Sequence, residues 1–268
     1  MATLRVDADR PPPIPRVVAV QDREHLGEEA GRIVRERIRS ALADRGRASV
    51  VLSGGTTPRL LHAWLVGNFA GDPLPVDRIT WYLGDERWVP ASDPQSNEGM
   101  ARETLLGPLG VEESAIVSWH AGSGDPVGCA RRYAEAVQAR MGGAAPDIVL
   151  LGVGPDGHTA SLFPGSMAYL PDGRQVPTSR DLPGTAAAVN GGNAPGWRLT
   201  LCPGLLGSAR DVVFLASGSD KVDAVRRAVN GDPVTPAAWI RGERTTFVVT
   251  RDALGSADTG FGPEVQRA

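Results

Sequence analysis

The chain has 268 residues, a length typical of one large domain or two small ones. Hydrophobic residues make up 41% and charged residues 22%, which excludes a globally disordered chain. The net charge of -3 does not indicate a nucleic-acid or membrane-surface partner. The two cysteines cannot form a disulfide framework, and the chain shows neither a signal-peptide core nor a run of about 20 apolar residues. We therefore expect a cytoplasmic protein without a membrane or nucleic-acid partner.

The apolar periodicity predicts strands and helices that alternate along the chain. In chain order we predict a strand at 17–20, a helix at 22–45, a strand at 48–52, a helix at 57–65, a strand at 78–83, a helix at 97–106, a strand at 114–119, a helix at 125–141, a strand at 147–151, a short helix at 158–163, strands at 198–201 and 211–216, a helix at 219–229 and a strand at 245–250.

The predicted strands are apolar on both faces, the pattern typical of a parallel, doubly wound α/β sheet flanked by helices. A proline-rich extended segment at 1–16 precedes a single α/β domain at 17–268. Residues 166–197 break the alternation with turn-forming pairs such as Pro183-Gly184. We expect a long irregular surface excursion there.

Three predicted strand ends carry unusual residues, and ligands of open α/β sheets bind at the carboxyl ends of strands. The first strand end is followed by Ser53-Gly54-Gly55-Thr56-Thr57. Glycines let a ligand approach the backbone, and the helix that follows offers free N–H groups to a phosphate. The loop lacks the lysine of a Walker A motif, so a phosphate site and a simple helix-capping turn both stay open.

The second strand end is followed by Gly84-Asp85-Glu86-Arg87-Trp88-Val89-Pro90 and then by Ser96-Asn97. Two adjacent acids and an arginine at a strand end are hard to explain by packing alone. Ser96-Asn97 is typical of a helix N-cap region. A solvated acidic turn is the alternative interpretation of this motif.

The third strand end begins Gly152-Val153-Gly154-Pro155-Asp156-Gly157-His158 and continues to Pro164. We place His158 at the start of the predicted short helix, where the helix dipole disfavours the imidazolium and leaves a neutral ring able to accept a proton. Asp156 could instead hold the tautomer of the ring. A helix-capping histidine is the alternative without chemistry.

The glycines of this third motif match the G-x-G-x-x-G pattern of dinucleotide-binding proteins. Pro155 in the turn, the early stop at Pro164 and the lack of an acid-terminated strand about 20 residues later argue against that function. The four histidines are scattered and neither cysteine has a ligand-spaced partner. We therefore expect no metal and no nucleotide cofactor.

One lysine, Lys221, stands among 28 basic residues, and all the others are arginines. It falls at the start of a predicted helix, where a cation opposes the helix dipole. An anion bound at this strand end would explain its place. Lys221, the glycine loop and Arg198 can then be assigned to one phosphate.

In order, these motifs resemble the 6-phosphogluconolactonases. The resemblance runs from about residue 17 to residue 254 and includes Arg198-Leu199-Thr200, Gly218-Ser219-Asp220-Lys221 and Pro236-Ala237-Ala238. It implies the α/β fold of sugar-phosphate isomerases and deaminases, and no metal or nucleotide cofactor. It also implies hydrolysis of 6-phospho-D-glucono-1,5-lactone to 6-phosphogluconate, the second step of the oxidative pentose phosphate pathway. We expect a monomer or a homodimer, and the sequence leaves both open.

The resemblance also assigns roles to individual residues. The catalytic histidine of the family falls on His158, and its strand-end acid and arginine fall on Asp85 and Arg87. The phosphate contacts fall on Gly54-Gly55-Thr56, Arg198 and Lys221, and Ser53, Thr57 and Gly157 are further candidate substrate contacts. Where the family carries a proline-rich loop, residues 190–196 are rich in glycine, and we expect a mobile loop or lid.

In the mechanism that these roles suggest, His158 takes a proton from water and returns it to the ring oxygen of the lactone. Arg87 neutralises either the developing oxyanion or the phosphate, and the sequence leaves both open. Asp85 or Asp156 orients His158 or a sugar hydroxyl.

Three other functions compete with lactone hydrolysis. Glucosamine-6-phosphate deaminases carry a carboxylate five residues after the histidine, where this chain has Phe163, and an aromatic residue where it has Arg87. A sugar-phosphate sensor could lose the histidine and would usually carry a DNA-binding module, and neither is the case here. A nicotinamide-dependent oxidoreductase rests only on the glycine pattern.

Overall fold

The computed structural model describes residues 14–71, 73–190, 196–255 and 265–267. The strands are β1 Arg16–Val20, β2 Ala48–Leu52, β3 Ile79–Leu83, β4 Asp85–Arg87, β5 Ile116–Val117, β6 Ile148–Gly152, β7 Met167–Tyr169, β8 Gln175–Pro177, β9 Ala186–Asn190, β10 Arg198–Leu201, β11 Asp211–Ala216, β12 Arg244–Thr250 and β13 Val265–Arg267. The helices are α1 Arg23–Arg45, α2 Pro58–Gly67, α3 Asn97–Ala101, α4 Pro126–Met141, α5 Pro203–Gly207, α6 Val222–Val229, α7 Pro236–Trp239 and α8 Arg251–Leu254. Most of the predicted extended segment 1–16 lies outside the described residues. No described helix is long and apolar enough to cross a membrane.

The larger sheet has the strand order β13-β1-β12-β11-β6-β2-β3-β5, and its neighbouring strands are parallel. Helices separate successive strands, so the predicted doubly wound, mostly parallel α/β fold is confirmed. The chain moves outward from β2 through β3 to β5, and then outward in the other direction from β6 through β11 to β12. The boundary between β2 and β6 is therefore the topological switch point, where ligands of such sheets bind.

Local signals account for the position of most helices and strands. Asp22 caps α1 by accepting hydrogen bonds from the N–H groups of Glu24 and His25, at 3.0 and 3.1 Å. The helix ends at Gly46, whose φ of 69° suits glycine. The strand β2 begins and ends where it was predicted, since its apolar run is buried on both faces of the sheet.

A second sheet, with the order β4-β10-β9-β7-β8, is antiparallel throughout. It corrects two predictions. Strand 198–201 belongs to this sheet and not to the parallel one, and segment 166–197 is not irregular, because it contributes three of the strands. Alanines 186–188 of β9 are fully buried against distant strands, a partnership that local strand propensity does not reveal. Residues 191–195 of the expected mobile loop lie outside the described residues.

The helix predicted at 158–163 does not form. The chain instead makes a tight hairpin in which Thr159 bridges Leu162, with Ala160 at its tip in the left-handed region at a φ of 47°. The Thr159 hydroxyl donates to the carbonyl oxygen of Gly152 at 2.8 Å, and the N–H of Ser161 donates to Thr200 Oγ1 at 3.4 Å. These tertiary contacts override the weak helical preference of a short apolar run.

Candidate active site

The strand-end motifs lie side by side along one edge of the parallel sheet. Strands β11, β6, β2 and β3 are consecutive neighbours, so the loops that follow them share the carboxyl edge. The glycine loop follows β2 and the His158 turn follows β6, and these two loops flank the topological switch point.

His158 and Asp156 form a close pair. His158 Nδ1 lies 2.5 Å from Asp156 Oδ1, which also accepts the N–H of His158 at 3.1 Å. An ionised carboxylate only accepts hydrogen bonds, so Nδ1 carries the proton, and in the neutral ring Nε2 then keeps its lone pair. The structure shows no hydrogen-bond partner for Nε2 among the described residues. The His158 and Asp156 side chains are 32% and 25% exposed, so solvent or a ligand can reach the pair.

Of the two influences on the His158 ring that the sequence left open, the structure shows the Asp156 contact and not the helix start. No helix begins at His158, so no helix dipole acts on its ring. The glycines before it build a tight turn in which the N–H of Gly154 donates to the carbonyl oxygen of His158 at 2.9 Å. A Cβ atom on Gly154 would lie 2.1 Å from Nδ1 of the ring, which explains why glycine is required there. The carbonyl oxygen of Gly157 accepts the N–H of Ala237 at 3.0 Å.

Asp85 is buried, and both of its carboxylate oxygens are occupied. Oδ2 accepts the Ser161 hydroxyl at 2.7 Å, and Oδ1 accepts Nδ2 of Asn97 at 3.1 Å. The structure shows no hydrogen bond between Asp85 and His158. Of the two acids proposed to orient the histidine, Asp156 alone contacts it among these described residues.

Glu86, next to Asp85, has a structural role. Its side chain accepts the N–H groups of Arg87, Asn97 and Glu98 at 2.8, 2.7 and 2.8 Å, and the Ser96 hydroxyl at 2.9 Å. Burial raises the pKa of Glu86, and these donors oppose that rise. Ser96 is the N-cap of α3, as its motif predicted. The two adjacent acids thus have different roles: Asp85 contacts residues of other loops, and Glu86 anchors the start of α3.

Two arginines face each other where the second sheet meets the site. Arg87 of β4 lies directly opposite Arg198 of β10. The pKa of Arg198 is lowered by burial and by the charge of Arg87. Nη1 of Arg87 donates to the carbonyl oxygen of Gln95 at 2.5 Å. Like charges directly opposite each other destabilise a sheet, so an anion between them would be favourable.

Lys221 follows β11 in a short 3₁₀ turn, Ser219–Lys221, and its side chain is half-buried. Burial lowers the pKa of its ammonium. The structure gives that ammonium no hydrogen bond or ion pair with another described residue. A bound anion would relieve this desolvation, because it favours the charged form.

In the glycine loop, Gly55 and Thr56 are more accessible than the buried hydroxyl residues Ser53 and Thr57. Gly54 lies against Asn97, since a Cβ atom there would be 1.8 Å from Asn97 Oδ1. Gly55 and Thr56 are exposed. Ser53 Oγ is enclosed without a hydrogen-bond partner, and Thr57 Oγ1 lies 3.5 Å from Ser217 Oγ. Gly55 and Thr56 are therefore the part of this loop that is open to a ligand.

The motifs contained contacts that sequence reasoning missed. Ser161 and Asn97 bond to Asp85, although Asn97 had been assigned only to a helix start and Ser161 had no role. Phe163 packs on the His158 ring with centroids 4.7 Å apart. The described residues include no group of three or more His, Cys, Asp or Glu side chains arranged to hold a metal ion.

A parallel α/β sheet with a histidine–aspartate pair beside its switch point, and with cations on neighbouring elements, is typical of proteins that bind small anionic ligands. Comparison with known proteins narrows the class. The family described as glucosamine-6-phosphate isomerases/6-phosphogluconolactonase matches residues 21–249, and the chain belongs to it.

Individual relatives agree with that assignment. The chain is 34% identical over 255 residues to the 6-phosphogluconolactonase of Streptomyces coelicolor, covering 90% of this chain and 94% of that one. It superposes on the 6-phosphogluconolactonase from Trypanosoma cruzi with a TM-score of 0.77 and 26% identity, covering 91% and 97%. A monomeric glucosamine-6-phosphate deaminase shares the fold, with a TM-score of 0.74 and 22% identity over 89% and 98% of the two chains.

Proposed function

We propose that this protein hydrolyses 6-phospho-D-glucono-1,5-lactone to 6-phospho-D-gluconate. The observation that carries this proposal is the His158–Asp156 pair beside the switch point, in which Nε2 has no hydrogen-bond partner among the described residues. Lactone hydrolysis needs such a base beside a site for the phosphate. The relative in Streptomyces coelicolor and the solved structure from Trypanosoma cruzi, both named 6-phosphogluconolactonase, support the same activity.

The residue five positions after the histidine argues against the deaminase alternative. In the deaminases this position carries a carboxylate that tunes the histidine for ring opening. Here Phe163 is buried and its ring packs against His158, with centroids 4.7 Å apart. An aromatic face neither accepts a proton nor holds a negative charge beside the imidazole. Asp156 is therefore the carboxylate that orients the His158 ring.

His158 acts as the general base in the proposed reaction. Nε2 removes a proton from a water molecule as the water oxygen bonds to the lactone carbonyl carbon. The carbonyl becomes a tetrahedral oxyanion. The C–O bond to the ring oxygen then breaks, the carbonyl re-forms, and the imidazolium returns the proton to that oxygen. The products are a hydroxyl group and a carboxylic acid, which ionises in water.

Asp156 is the acid that orients the base. Its carboxylate accepts the Nδ1 proton, which keeps Nε2 available, and it stabilises the imidazolium that forms during attack. The same contact supports Asp156 over Asp85 as the orienting acid, because the oxygens of Asp85 are engaged by Ser161 and Asn97.

The substrate phosphate is anchored by the backbone at Gly55 and Thr56 and by the cations Arg198 and Lys221. Both cations are half-buried, and burial lowers the pKa of each, so a dianion improves their environment. Binding energy at this remote group orients the reacting carbonyl. Arg87 lies opposite Arg198 and serves either the phosphate or the oxyanion.

The test is lactone hydrolysis by wild type and His158→Ala. The lactone is generated in situ, and its disappearance is followed against the spontaneous background. Loss of a general base should lower kcat by roughly 10²- to 10⁴-fold. His25→Ala is a matched control, because His25 Nδ1 also lies beside an aspartate, 2.8 Å from Asp22 Oδ1, but at the start of α1.

Two results would contradict the proposed function. Wild type that does not accelerate hydrolysis rejects the lactonase activity. Fast hydrolysis by both wild type and His158→Ala keeps the activity but removes His158 as the base.

A further inference from the structure

On the basis of the proposed function, we infer that Ser161 and Asn97 are positioning residues, which hold Asp85 as a fixed link between the general-base turn and the glycine loop. Asp85 then acts through accepted hydrogen bonds and not on the substrate. Ser161 and Asn97 are 1% and 2% exposed, so both contacts are shielded from water.

Ser161 connects Asp85 to the turn that carries His158. Two side-chain hydroxyls of the hairpin after His158 bond to other elements: Thr159 Oγ1 to the carbonyl oxygen of Gly152 at 2.8 Å, and Ser161 Oγ to Asp85 Oδ2 at 2.7 Å. The first contact ties the hairpin to the end of β6, and the second ties it to the start of β4. Removing the Ser161 hydroxyl frees one side of the hairpin, and the His158 ring can then shift.

Asn97 connects Asp85 to the glycine loop. Its Nδ2 donates to the main-chain oxygen of Asp85 at 3.0 Å and to Oδ1 at 3.1 Å. Its side chain packs so closely on Gly54 that a Cβ atom on Gly54 would lie 1.8 Å from Asn97 Oδ1. The N–H of Asn97 donates to buried Glu86 at 2.7 Å, which fixes the start of α3. Asn97 is therefore held rigidly between the acid and the loop.

These contacts set the separation between the phosphate anchor and the base. A lactone bound through its phosphate presents its carbonyl at one distance from the glycine loop. The ring of His158 must lie at the matching distance, and a misplacement of about 1 Å can cost 10²-fold in rate. Ser161 lies on the base side of the link, so its loss should lower kcat more than it changes KM. Asn97 touches both sides, so its loss should change both constants.

The first experiment measures kcat and KM for wild type, Ser161→Ala and Asn97→Ala. We expect Ser161→Ala to lower kcat by about tenfold with KM within about twofold, and Asn97→Ala to lower kcat and raise KM. Ser49→Ala is the matched control, because the Ser49 hydroxyl also donates to an aspartate, Asp147 Oδ2 at 2.9 Å, but near the start of β2, at the opposite end of the strand from the site. It should leave both constants unchanged.

A double-mutant cycle separates positioning from mere stability. If Ser161 acts through Asp85, then Ser161→Ala combined with Asp85→Asn should have a kcat within about threefold of Asp85→Asn alone. Additive losses would show that Asp85 acts on the substrate independently of Ser161 and would overturn the inference. A kcat for Ser161→Ala within twofold of wild type would overturn it as well. Asn97→Ala probes the other contact of Asp85 if Ser161→Ala does not fold.

A readout without turnover distinguishes failure of this inference from failure of the proposed function. The chain has four histidines, so the imidazole NMR signals of His158 can be assigned by their loss in His158→Ala. The link predicts that Ser161→Ala shifts these signals and that Ser49→Ala does not. If wild type lacks lactonase activity, this shift still supports the positioning role. Unchanged His158 signals in Ser161→Ala would reject it, whatever the activity.

Discussion

The loops after β3 and β6 both place a carboxylate beside glycines at the carboxyl edge of the sheet, but the two carboxylates have different environments. Glu86, after β3, is 1% exposed and accepts hydrogen bonds from four donors. Asp156, after β6, is 25% exposed and holds an imidazole whose other nitrogen is open. A buried carboxylate with all its acceptor sites used can only stabilise the fold. An accessible one that orients a base is available for chemistry.

Asp156→Asn should have the largest effect, because it reverses the tautomer of the base. An amide can donate to Nδ1, which moves the ring proton to Nε2 and removes the lone pair that accepts the proton of water. We expect kcat to fall by roughly 10²- to 10³-fold while KM changes little. Steady-state lactone hydrolysis measures both constants, and Asp22→Asn at the His25 pair is the control. A variant with near wild-type kcat would place Asp156 with the structural carboxylates.

Glu86→Gln should lower stability more than catalysis. The amide that replaces one oxygen cannot accept hydrogen bonds, so about two of the buried donors lose their partner, and the free energy of unfolding should fall by about 3 kcal/mol. Urea denaturation of wild type and variant gives this difference. At a temperature where both are folded, kcat should stay within about threefold, since the Glu86 side chain is buried among main-chain N–H groups and the Ser96 hydroxyl and does not face a ligand. Unchanged stability would contradict the structural role.

His62 extends the comparison to a buried side chain of which only one ring nitrogen has a hydrogen-bond partner. Its Nδ1 lies 2.8 Å from Thr104 Oγ1, whereas Nε2 is enclosed without a partner. Burial, with a smaller contribution from the charge of Arg59, lowers its pKa from 6.5 to about 4. Between pH 6.5 and about pH 4, His62 is therefore protonated in the unfolded chain and neutral in the folded protein. The stability that neutral His62 contributes is complete above pH 6.5 and declines as the pH falls toward 4.

Between pH 7 and pH 5 this linkage should remove about 2 kcal/mol from the free energy of unfolding. His62→Phe keeps a ring in the core and removes the proton-binding group, so its stability should depend less on pH by about that amount. Urea denaturation at the two pH values measures the difference, with His25→Ala as an exposed control. Equal pH dependence in wild type and His62→Phe would assign acid sensitivity to other groups.

Lys221→Met should have the smallest effect of these substitutions. It should change mainly KM, whereas Asp156→Asn should change mainly kcat. Loss of one charge-assisted contact to the phosphate should raise KM by about tenfold, with a smaller decrease in kcat. Lys221→Arg keeps the charge and should recover part of the loss, although the guanidinium differs in shape from the ammonium. Initial rates over a range of lactone concentrations separate the two constants. A fall in kcat with unchanged KM would move Lys221 from the anchor to the reacting centre.

Local sequence predicted the parts of this fold whose signals are local. Strands β2 and β11 lie where their apolar runs placed them, and α1 at Arg23–Arg45 matches the helix predicted at 22–45. The helix expected at 158–163 and the irregular segment expected at 166–197 were wrong for a common reason. Thr159 and Ser161 bond to strand ends, and β9 pairs with β10, so the conformation of both segments depends on partners remote in the chain.

The same division applies to the candidate site. The sequence by itself determined which side chains stand at strand ends, because apolar runs and glycine turns are readable without a partner. Only the tertiary structure decided that Asp156 and not Asp85 contacts His158, that Ser161 and Asn97 occupy Asp85, and that Glu86 anchors a helix. The Ser161–Asp85 hydrogen bond of 2.7 Å joins segments that follow different strands, and that proximity exists only once the parallel sheet has formed.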